Sequence, residues 1–134
     1  MSDEFRARVR DRIAAFNRGD LDGMLADYTP TSRYRIAREH PEARECVGRD
    51  EVRAYYRSWR EQFDDLRLEA TRIDVSAHHC LLAGKFIGRP GGSAELAVPV
   101  FVLVEFNDEL AVVSAEEFLN QGEAERRFAE RSRL

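Results

Sequence analysis

A chain of 134 residues, 43% hydrophobic and 34% charged, fits one domain with a single core. Its net charge of −4 and pI near 5.5 argue against nucleic-acid binding, which needs a basic surface to neutralise phosphates. No stretch approaches the roughly 18–20 apolar residues that cross a bilayer, and the opening MSDEFRARVR lacks an apolar signal-peptide core, so a cytoplasmic protein is expected.

Residues 3–17 read as a helix, with Phe5, Val9, Ile13 and Phe16 on one face and Gly19 as its stop. Asp20 can cap a second short helix carrying Leu21, Met24, Leu25 and Tyr28, ended by Pro30. Residues 32–37 fit a short strand, with Tyr34 and Ile36 on one face and Arg33 and Arg35 on the other. A polar connection over 38–48 follows. Asp50 then caps a helix to about Phe63 whose apolar stripe is Val52, Tyr56, Trp59 and Phe63. So aromatic a face must cover something large and concave.

The remainder is β. The alternation Leu66, Leu68, Ala70 shifts phase to Ile73 and Val75, which predicts a bulge. A turn over 76–79 leads to a strand over 80–88 and the hairpin loop GRPGGS. Residues 95–106 are apolar on both faces, with Val98, Val100, Val102 and Val104 on one side and Ala97, Phe101 and Leu103 on the other. Such a strand needs cover on both sides, from helices or from a second subunit. The turn FNDEL precedes a last strand over 110–119, and residues 121–134 form a charged tail with helical character. Helices followed by a strand meander give an α+β order, which on pattern alone also fits other helix-plus-meander folds; the arrangement suggests a curved, mostly antiparallel sheet wrapped around N-terminal helices, enclosing an internal pocket, as one domain over 1–134.

Cys46 and Cys80 have no metal-ligand spacing and are expected as free thiols. His40 precedes a proline in the 38–48 connection, and His78 and His79 fall at a turn. Nothing links the three histidines as ligands, so no metal and no cofactor are expected. GRPGGS does not open a helix and lacks the setting of a phosphate loop.

The segments FNRGDLDGMLADY at 16–28, GRDEVRAYYRSWREQFDDLRLE at 48–69 and ELAVVSAEEFLNQGEAERRF at 109–128 resemble the nuclear transport factor 2-like superfamily, in its SnoaL-like branch. That resemblance implies a cone-shaped α+β barrel with an apolar pocket, commonly a homodimer through the outer face of the sheet. Members include ketosteroid isomerases, polyketide cyclases, epoxide hydrolases and dehydratases, so a function has to be argued from the site. The isomerase groups are missing: the tyrosine of its oxyanion hole falls on Arg12, its base on Ile36 and its protonated aspartate on Val102. The cyclases carry an acid/base residue on the final strand, and VVSAEEF places that position on Glu117.

Glu116 and Glu117 are neighbours on a strand and point to opposite faces, one of them inward. An inward carboxylate is either an acid/base group or a structural partner of an arginine such as Arg12 or Arg35. The expected pocket lining is Tyr28, Tyr34, Ile36, Tyr56, Trp59, Phe63, Val100, Val102 and Ala115, with phenol hydroxyls as polar handles. Two functions remain open. One is cofactor-independent cyclisation or isomerisation of a small apolar carbonyl compound, with Glu117 as acid/base. The other is a non-catalytic ligand-binding or dimerisation module. A homodimer is expected in either case.

Overall fold

The computed structural model describes residues 2–132. Helix α1 spans Ser2–Asn17, and Asp3 and Glu4 in its first turn complement the helix dipole. Its apolar stripe meets the sheet. The Phe5 ring stacks on Phe106 at 3.7 Å, and Phe16 is buried against the edges of Tyr56 and Phe86. Helix α2, Leu21–Met24, starts at Asp20, whose side chain accepts from the Gly23 amide at 2.8 Å.

That helix ends well before Pro30. The Val112 amide donates to the Asp27 carbonyl, which draws the chain onto the sheet, so Tyr28 opens strand β1 (Tyr28–Arg35) instead of extending the helical face. The polar connection contains a strand that sequence pattern missed, β2 (Glu45–Val47), antiparallel to β1. Its three residues alternate exposed, buried, exposed, but the exposed Val47 is apolar and the stretch is too short for a period to show in sequence.

Helix α3 spans Arg49–Gln62 and begins two positions earlier than an Asp50 cap requires. Gly48 precedes it at φ +87°, and a Cβ there would press on the Pro30 carbonyl at 3.0 Å. Phe63 is already extended and opens β3 (Phe63–Ser76). Strand β4 (His79–Pro90) folds back on β3, and their register shifts between Ala70 and Arg72, where the phase change predicts a bulge. The bulge pushes the Glu69 carbonyl so close to Gly84 that any side chain there would collide with it.

Strands β5 (Leu96–Phe106) and β6 (Val112–Phe118) and helix α4 (Gln121–Ser132) complete the chain. The sheet order is β2-β1-β6-β5-β4-β3, antiparallel except for the β1–β6 pair. It curves around α1, α2 and α3. On the outer face α4 buries Ala124 in a cluster with Leu81, Leu103 and Phe118. The charged tail thus supplies cover that the two-faced β5 strand requires, which leaves less of that face for a second copy to bury.

Candidate functional site

Strand β6 runs through the middle of the sheet between β5 and β1, so its inward side chains meet the core. Alternation sends Glu116 outward, where it pairs with Arg35 at 3.4 Å and Arg127 at 3.6 Å. Glu117 points inward and is 5% exposed. Neither arginine considered as its partner reaches it. Arg35 lies on the outer face, and Arg12 is held by Asp27.

Hydroxyl and amide groups serve the carboxylate instead. The Tyr34 hydroxyl donates to Glu117 Oε2 at 2.6 Å. The Tyr55 hydroxyl lies 2.9 and 3.1 Å from Oε1 and Oε2, and the Ala37 amide donates to Oε1 at 3.3 Å. A buried carboxylate without a cation requires this number of donors. The Tyr56 hydroxyl stands 2.6 Å from that of Tyr34. Tyr34 has one hydroxyl proton, and it goes to Glu117, so Tyr56 must be the donor to Tyr34. The result is a directed chain from Tyr56 through Tyr34 to Glu117.

Sequence pattern assigned Tyr34 and Tyr56 to the interior, the resemblance to the cyclases selected Glu117 as the inward carboxylate, and both overlooked Tyr55. A single stripe at 4-3-4 spacing runs through Val52, Tyr56, Trp59 and Phe63. The buried face of α3 is wider and takes in Tyr55 beside it. A core-facing helix commonly has such a broad stripe, and that was the signal available. His40 packs its ring on Tyr55 and Trp59, at 5.6 and 5.4 Å between centroids, which gives the 38–44 loop a place over this cluster.

Beside the tyrosines lies an apolar cavity of about 110 Å³. Tyr28, Tyr34, Tyr56, Val100 and Val102 belong to its wall, with Ile13, Leu68, Phe86 and others. Ile36, Trp59, Phe63, Ala115 and Glu117 do not. Trp59 stacks between Phe63 and Phe86 at 5.5 Å from each, toward the far end of α3. Ala115 and Ile36 are buried in the same core without reaching the wall. Glu117 is held back by the hydroxyls that bind it, so Tyr34 and Tyr56 stand in the wall in its place.

All four tyrosines are shifted toward higher pKa, by burial first and by the Glu117 charge second. Their hydroxyls therefore stay protonated and act as donors at neutral pH. Tyr28 makes no hydrogen bond through its hydroxyl to any described residue, so it is free to meet a ligand. The charged members of the wall are Arg12 and Asp27. No group of three or more His, Cys, Asp or Glu side chains is gathered among the described residues to hold a metal ion.

The family model of the SnoaL-like domain matches residues 9–114. Among proteins of curated function none matches this sequence. Solved structures share its fold. A nuclear transport factor 2-like protein of unknown function from Burkholderia pseudomallei K96243 superposes with TM-score 0.76 at 21% identity, covering 92% of this chain and 96% of that one. A provisionally named SnoaL-like polyketide cyclase from Shewanella denitrificans OS-217 gives 0.69 at 10% identity, covering 95% and 97%. A protein with a ketosteroid isomerase-like fold from Catenulispora acidiphila DSM 44928, solved with trimethylamine, gives 0.72 at 13% identity, covering 90% and 91%. At these identities the likeness is one of fold.

Proposed function

We propose, for a chain that belongs to the SnoaL-like domain family, that it binds a small apolar carbonyl compound and moves a proton on the carbon beside the carbonyl, without a cofactor. The observation that carries this reading is the hydrogen-bond chain from the cavity wall to an inward carboxylate with no cationic partner among the described residues. In the forward step the C–H proton passes to the Tyr56 oxygen, the Tyr56 proton to Tyr34, and the Tyr34 proton to Glu117. The electron pair left on carbon conjugates into the carbonyl, and the Tyr28 hydroxyl donates to the enolate oxygen that forms. Return of the proton to a different carbon is an isomerisation. Attack of the carbanion on a second carbonyl is a ring closure. The valine, leucine and phenylalanine wall keeps water from quenching the carbanion.

Hydrogen–deuterium exchange at the methyl group of acetophenone in heavy water, followed by NMR, tests this without a known substrate. Exchange is expected with the parent protein and lost in Tyr34→Phe and Glu117→Gln, provided both variants melt cooperatively. A bound ketone that exchanges no faster than in buffer, or exchange untouched by Glu117→Gln, refutes the catalytic reading.

The alternative is a ligand carrier without chemistry. It is favoured by one observation: Glu117 accepts three protein donors and stays out of the cavity wall, as a purely structural carboxylate would. Ligand binding without exchange selects it. For either function we propose a cytoplasmic homodimer that pairs through the outer face of the sheet, supported by the exposed Val47, which alternates with the inward Cys46. Sedimentation at the monomer mass of 15.4 kDa at micromolar concentration would exclude the dimer.

A further inference from the structure

Two arginines converge on one aspartate at the cavity. Arg12 donates from Nε to Asp27 Oδ2 at 2.9 Å and from Nη2 to Oδ1 at 3.1 Å, and Arg8 adds a third bond to Oδ1 at 3.1 Å. Asp27 keeps 14% side-chain exposure and the arginines about a third, so solvent still reaches the cluster. One guanidinium neutralises the aspartate and the other remains as excess positive charge. Arg8 lies outside the cavity wall, whereas Arg12 lies in it, with its Nη1 engaged by no described residue. Asp11 precedes Arg12 on α1 but is exposed, and water screens its charge.

The opposite character is found at the tyrosines. Tyr34 is 1% and Tyr56 8% exposed, and apart from Arg12 and Asp27 the residues of the wall are apolar or aromatic. The cavity thus has a wet cationic side, an apolar middle and a dry hydroxyl side. Its volume of about 110 Å³ is smaller than the roughly 150 Å³ that accommodates benzene in a protein interior. A space of this order suits one ring or a short branched chain.

We infer that the ligand is a small apolar acid, of one ring or an equivalent short chain, whose anionic oxygens bind Arg12 while its apolar body reaches toward Tyr56. This rests on the reading of the cavity as a ligand site and narrows it to a charge class. A guanidinium already oriented by a bidentate aspartate loses little freedom when it takes a carboxylate, which makes Arg12 a preorganised anchor.

Benzoate and benzamide have the same shape and differ in charge, so their dissociation constants, measured by NMR titration at neutral pH, test the inference. Benzoate is expected to bind at least about tenfold more tightly, the worth of a charge-assisted contact over a neutral one. The preference should shrink to about twofold in Arg12→Gln. Should that variant not fold, the parent alone decides: salt raised to about 0.5 M should weaken benzoate and leave benzamide unchanged. Benzamide binding as tightly as benzoate overturns the anionic class while the cavity remains a ligand site. Binding of neither at millimolar concentration overturns both.

Discussion

The sharpest consequence of the carboxylate's coordination concerns Tyr55, whose hydroxyl lies 2.9 and 3.1 Å from the two Glu117 oxygens. Tyr55→Phe removes one of three donors to a carboxylate that is 5% exposed, and water cannot easily replace it. A hydrogen bond to a charged group contributes about 1.5–3 kcal/mol. In a chain of 134 residues each kcal/mol moves the melting temperature by about 3–4 °C, so a fall of about 5–11 °C is expected. Tyr56→Phe breaks a bond between neutral hydroxyls, worth about 1 kcal/mol, and should lower Tm by about 3–4 °C. Tyr28→Phe, with no hydroxyl partner among the described residues, should stay within about 1–2 °C of the parent. Circular-dichroism melts of the three variants at pH 7 give the series directly. A Tyr55→Phe melt indistinguishable from that of Tyr28→Phe would show that Glu117 does not depend on its hydroxyl donors.

The four tyrosines, all the chain contains, are displaced upward from 10.0, so they should show no phenolate absorbance at pH about 10–11 while the protein is folded. Because the unfolded phenols ionise first, stability is fully present below pH about 10 and falls as pH rises; absorbance should therefore appear together with loss of structure, and a normal early titration would count against the buried cluster. Cys80, pushed by burial from 9.0 to about 12, acts in the same sense from pH about 9 upward, and native protein should resist thiol alkylation at both cysteines, as mass spectrometry can read. Gly84→Ala should cost about 1–3 kcal/mol by driving a methyl into the Glu69 carbonyl, and an unchanged melt would mean that the bulge can relax. Trp59→Ala should cost about 2 kcal/mol, below the range for a fully buried tryptophan because this ring is only partly buried; a loss within about a degree of the parent would show its stacking on Phe63 and Phe86 to be dispensable.

Local pattern determined a good deal about this protein. The stripe Phe5, Val9, Ile13 and Phe16 set α1 and its buried face. The phase change after Ala70 marked the bulge, and the parity of Glu116 and Glu117 separated an outward from an inward carboxylate. Each depends on spacing along one element, which backbone geometry converts directly into a direction. Tertiary structure alone decided which groups meet. Tyr34, Tyr55 and Glu117 stand 21 to 83 positions apart in the chain and converge only because the sheet order places β6 beside β1 with α3 packed across them. The same holds for Arg12 on Asp27, for the strand formed by Glu45–Val47, and for the withdrawal of Glu117 behind hydroxyls. Hydrogen bonds across elements depend on distances of a few tenths of an ångström, and periodicity along a single element carries no information about them.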